Sequence, residues 1–177
     1  MLNTRPARSS RQKFNSIAHQ KVTTRYLKNS DGTYNYSAAT KFDPFDWTYP
    51  PTDEGSSALG LMKFWQKSGV ISGYDWTFTF DQFLAALQRQ PVLVGTMWYD
   101  DMMSTDSAGV IHSSASGKGG GHEYLANAIL WGKRLIGYEQ SWGEHPRGFS
   151  PTFYMSFDLA EELIIHQKGD VAVPRFQ

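Results

Sequence analysis

Two short stretches carry the side chains best suited to chemistry. Gly120-Gly121-His122-Glu123-Tyr124 sets an imidazole after a run of glycines, and Gln140-Ser141-Trp142-Gly143-Glu144 follows shortly afterwards. Histidine is the side chain whose charge changes nearest neutral pH, so it can serve as a general base. A glutamine amide oxygen can accept a hydrogen bond from the imidazole N–H. No thiol is available for such a base to activate: the sequence contains no cysteine. That removes a thiolate nucleophile, disulfides and thiolate metal sites together. On its residues alone, His122 is equally a packed or solvated histidine in a Gly-rich loop.

Other arrangements are weaker. His112, His122 and His145 have the spacing of no metal motif, so no metal is expected. Gly117-Lys118-Gly119-Gly120-Gly121 invites a phosphate loop, but no strong strand precedes it and no helix follows it. His19 and His166 read as surface residues, and no cofactor is expected. Most of Trp47, Tyr49, Trp65, Trp76, Trp98, Tyr99, Trp131 and Trp142 are expected in the core, with a sugar- or peptide-stacking platform as the alternative for some.

The elements that must position these residues are legible in part. Near-helical spacing of Phe14, Ile17, Ala18, Val22 and Tyr26 predicts a helix over 13–28. Residues 29–32 form a turn cluster, and the prolines at 44, 50 and 51 impose an extended, irregular passage. A helix is expected from Ser56 to Ser68, capped by Asp53 or Ser56 and closed by Gly69. Another runs from Phe80 to Arg89 behind the capping box Thr79-Phe80-Asp81-Gln82. Val92 to Tyr99 is an apolar, β-branched strand. Residues 100–121 are loop-rich, with one short strand near Val110-Ile111. Glu123 to Trp131 and Leu135 to Ser141 form a hairpin about Gly132-Lys133. Thr152 to Met155 is a further strand, and Ser156 caps a last helix through Ile165 with acids in its first half. Helices first and an antiparallel sheet after make an α+β layout.

At 177 residues with 40% hydrophobic and 15% aromatic side chains, the chain is expected to fold as one soluble domain over 31–177. No stretch reaches the ~20 apolar residues of a membrane span, and the N-terminus has no apolar signal-type region. The formal net charge of zero conceals an asymmetry. Residues 1–30 hold Arg5, Arg8, Arg11, Lys13, Lys21, Arg25 and Lys28 and no acid, so this arm is +7 and the remainder −7. Such an arm can be a solvated terminus, a targeting segment or an electrostatic hold on a partner. Other protein subunits are the partners expected for it, and nucleic acid is not.

The Gly-Gly-His-aromatic stretch followed by Gln-Ser-Trp-Gly-Glu resembles the C-terminal half of papain-like cysteine peptidases, where Asn-Ser-Trp-Gly-Glu is the usual form. The resemblance spans roughly Tyr36 to Ile165. Ser37-Ala38-Ala39-Thr40, Asp43-Pro44-Phe45, Tyr49-Pro50-Pro51 through Ser57, and Gln90-Pro91 through Tyr99 are similar to such domains encoded by bacteriophages and bacteria. It implies a helical N-terminal half packed on an antiparallel, barrel-like C-terminal half, with a cleft between them. It implies His122 on the cleft wall, Gly120 and Gly121 leaving room for substrate backbone, Gln140 in the orienting position, and Trp142 shielding their contact. Tyr99-Asp100 would border the same cleft. The family's nucleophile falls near residues 15–20, where Ala18 stands six residues after Gln12 and Ser16 is the nearby hydroxyl. The implied function is an inactive papain-like module with a structural or binding role, such as a phage tail or baseplate component. The alternative is a residual Ser16-dependent, or split cysteine-type, peptidase or amidase acting on peptide or peptidoglycan bonds.

Overall fold

The computed structural model describes residues 33–141 and 151–176. The arm over 1–30 and the helix expected over 13–28 lie outside them. The first described element is a short helix not foreseen from sequence, α1 (Thr33–Ala39). Then follow α2 (Ala58–Lys67), β1 (Ile71–Trp76), α3 (Phe80–Leu87), β2 (Val92–Tyr99), β3 (Gly119–Leu130), β4 (Leu135–Glu139), β5 (Thr152–Ser156), α4 (Phe157–Glu161) and β6 (Asp170–Phe176). The six strands form one antiparallel sheet in the order β1-β6-β2-β3-β4-β5. The α+β class holds, but β1 lies between two helices, so helices and strands interleave. Neither β1 nor β6 was foreseen. Both depend on pairing with each other across about 100 residues, for which local pattern gives little signal.

Local chemistry explains the boundaries. Ser57, rather than Asp53 or Ser56, caps α2: its hydroxyl accepts from Gly60 N at 3.1 Å. Ser56 is occupied instead, donating to Asp43 at 2.7 Å. Gly69, at φ +70°, stops α2 with a left-handed residue that glycine adopts without Cβ strain. Thr79 caps α3 as expected, but the Gln82 amide oxygen accepts from Phe78 N at 2.8 Å, one residue upstream of the predicted reciprocal bond. β2 occupies the span read from sequence. Val110 contributes only one parallel bridge, to Tyr154 of β5. The hairpin turns through Trp131–Lys133, with Arg134 at φ +50°. Ser156 caps α4, which continues into a wider helical turn over Glu162–His166.

Alternation along β2 assigns the two faces of the sheet. Val92, Val94 and Trp98 face a large core with Phe83 and Leu87 of α3, Tyr124 and Tyr138 of the sheet, and Phe157 and Ala160 of α4. Leu93 faces the other way, toward a smaller core with Met62, Phe64 and Trp65 of α2. Helices therefore cover both faces, which holds β2 and β3 rigidly in the middle. No helix among the described residues is long and apolar enough to cross a membrane.

Candidate active site

An open cleft of about 930 Å³ runs between α1, the loop before α2, and the strands β2, β3 and β6. His122 lies on its wall. The ladder pairs Thr96 with His122 and Gly95 with Glu123, so rigid sheet backbone fixes both β3 side chains. The predicted strand began at Glu123. It begins instead at Gly119, because the glycines pair with Met97, Trp98 and Tyr99. A Cβ at Gly119 would strike the Trp98 carbonyl, whereas Gly120 and Gly121 face open space. Gly121 lines the cleft, while Gly120 does not.

Gln140 follows β4 directly and is anchored by its backbone N–H donating to Pro151 O at 2.9 Å. Its Oε1 lies 3.1 Å from His122 Nε2. An amide oxygen only accepts, so Nε2 carries the proton in this contact and the basic lone pair of the neutral ring sits on Nδ1. The longer glutamine side chain therefore still reaches the imidazole. Gln140 Nε2 is buried without a partner among the described residues. Trp98 meets the ring edge-on at 5.1 Å and Tyr124 lies 5.6 Å away. The Tyr124 hydroxyl is bonded to Thr96 at 2.8 Å. Desolvation among these rings pulls the His122 pKa below 6.5, only partly offset by Gln140, so the ring is neutral at pH 7.

Two half-buried acids, missed from sequence and each with one carboxyl oxygen out of solvent, flank the same cleft on the α2 side. Glu123 Oε1 accepts from Ala58 N, in the first turn of α2, at 3.2 Å. Burial, then the charge of Asp170, push the Glu123 pKa up to about 8 against its ordinary 4.5. Burial raises Asp170 as well, opposed by a bond from Gly95 N–H. Gly95 lies between them: a Cβ there would collide with Glu123 Oε1 and come within 2.8 Å of Asp170 Oδ1. Glu123 Oε2 and Asp170 Oδ1 have no partner among the described residues. The signal for Glu123 was a lone acid inside an otherwise apolar strand. Asp170 had none, since β6 itself was unseen.

The other expected site residues divide clearly. Tyr99 is buried and its hydroxyl donates to Gln167 Oε1 at 2.7 Å, while Asp100 is exposed at the start of a 3₁₀ turn. Neither lines the cleft, because the cleft crosses the middle of β2, at Gly95, Thr96 and Met97, rather than its end. Ser16 and Trp142 lie outside the described residues. No group of three metal-ligating side chains occurs among the described residues. Phe45 and Trp47 stack at 5.6 Å with their planes 6° apart, on the cleft lining.

No protein-family model matches the sequence, and no curated protein matches it significantly. In three dimensions the chain is similar to xylellain, a cysteine protease from Xylella fastidiosa. The match has a TM-score of 0.50 at 18% identity, over 91% of this chain and 68% of that one. With its helices, antiparallel sheet and intervening cleft, the protein has the α+β papain-like fold.

Proposed function

We propose that this protein is a papain-like module that binds an extended polypeptide in its cleft and does not cleave it. One observation carries this: the His122–Gln140 pair is assembled on a cleft wall at 3.1 Å, in a chain without any cysteine. The imidazole is held, desolvated and neutral, as a general base would be. Acyl transfer through this family's route also needs an attacking thiolate, and the sequence supplies none. What remains is a groove with hydrogen-bonding strand edges, aromatic faces and carboxylates, which suits ligand recognition.

The role in assembly rests on sequence. The patterns at 37–57 and 90–99 favour a phage-encoded structural component, with the +7 arm holding acidic surfaces of neighbouring subunits. The competing account is slow hydrolysis by Ser16 with His122 and Gln140. Incubating the full chain with a broad peptide and peptidoglycan library, read by mass spectrometry, separates the two. Binding without new termini is expected. Turnover that disappears in both Ser16→Ala and His122→Ala would replace this proposal with a serine-dependent hydrolase.

A further inference from the structure

We propose that residues 106–112 form a strap that closes the β5 edge of the sheet against pairing with a second copy of this chain. Its action does not depend on what the cleft binds. β1 and β5 are the outer strands of the six, and an outer strand offers unpaired N–H and C=O groups as a template for another strand. The two edges differ in their own defences. β1 carries Asp75, held by Arg175 at 2.8 Å on exposed surface, and its ladder slips register between Ile71 and Gly73. A charged pair and a bulge both discourage a further strand. β5 reads Thr-Phe-Tyr-Met-Ser, without a charge and with strong strand formers at its centre. Its side chains do nothing to turn another strand away.

The strap does so instead. Tyr154 turns its backbone groups away from β4: its N–H donates to Gly109 O at 2.9 Å, and its C=O accepts from Ile111 N–H at 2.8 Å. Another strand would need those same two groups. One carboxylate holds the strap in shape. Asp106 Oδ1 accepts from the N–H groups of Ala108 and Val110 at 2.8 and 2.9 Å, and Oδ2 lies 2.8 Å from His112 Nε2. Ile111, 2% exposed, seats the strap in the main core. Asp106 itself is exposed, so its bonds compete with water, and segments held in this way open locally. A second copy fits the edge that opening uncovers. Two β5 strands meeting antiparallel about a two-fold axis set Tyr154 opposite its own copy. There the two residues exchange both bonds that the strap now takes.

Sedimentation velocity of the full chain tests this, from ~5 to ~200 µM at ~0.5 M salt so that the basic arm is screened. The wild type is expected to keep one sedimentation coefficient across the range. Asp106→Ala, which releases the strap, should self-associate at least about tenfold more tightly, following the rise in the open fraction. Adding Tyr154→Lys, which sets like charges opposite each other across the axis, should remove that gain. Asp81→Asn, an exposed acid outside the strap, should behave as wild type. Amide hydrogen exchange separates release from simple unfolding. His112→Ala removes a single bond, and its Tyr154 N–H should exchange faster than wild type when dilute and regain protection at ~200 µM. A monomeric Asp106→Ala with Tyr154 still protected overturns the strap. Faster exchange at Tyr154 without any association overturns the second copy as what the strap excludes. Association that survives Tyr154→Lys, or a wild type that pairs as tightly as Asp106→Ala, overturns the proposal as well.

Discussion

Glu123→Gln isolates a carboxylate held far above its ordinary titration range. Glu123 ordinarily titrates at 4.5 and here at about 8, chiefly because burial strips its charged form of water and secondly because Asp170 repels it. The folded state thus holds this proton more tightly than the unfolded chain does. Below pH 4.5 both states are protonated and there is no penalty. Between 4.5 and about 8 the unfolded chain releases its proton first, so stability falls as pH rises. Above about 8 both are ionised and the full penalty applies. At about 1.4 kcal/mol per pH unit between the two values, the gap is worth on the order of 5 kcal/mol. That is comparable to the whole stability of a marginal domain. Relaxation and water entry reduce it to roughly 3 kcal/mol, or about 10 °C in melting temperature for a chain of this size. Glutamine keeps the acceptor for Ala58 N–H while removing the titration. Thermal unfolding followed by circular dichroism from pH 5 to pH 9 should show the wild type losing about 10 °C and Glu123→Gln losing far less. Parallel curves for the two proteins would refute the argument that burial of this carboxylate governs the alkaline side.

Two further perturbations address the site directly. Gly95→Ala should destabilise the fold by about 2 kcal/mol in urea titrations, since its methyl group must displace two half-buried acids; an unchanged midpoint would mean the carboxylates move freely. The His122 ring should titrate below 6.5 by NMR and remain neutral at pH 7. Gln140→Ala removes the bond that favours the protonated ring, so it should lower that value further while costing about 1 kcal/mol of stability.

What could be read in advance follows from how far apart the determinants lie. α2, α3, β2 and the start of α4 were legible because capping hydroxyls, Gly69 and β-branched runs act within a few residues. β1 and β6 were not, because an edge pair joining Ile71 to Phe176 has no local signature. Tyr99 looked like a site residue from its place at the end of a strand. Packing turned it inward, to Gln167.

The sequence alone determined the chemistry that is possible: a histidine, a glutamine spaced to meet it, and no sulfur nucleophile. Only the tertiary structure decided that Gln140 spans the distance to His122, because that depends on where β4 ends relative to β3. It alone brought Glu123 and Asp170 to either side of Gly95 and gathered acids scattered from residue 53 to residue 170 along one cleft. Burial and proximity are properties of the folded chain, and they set the pKa of a carboxylate.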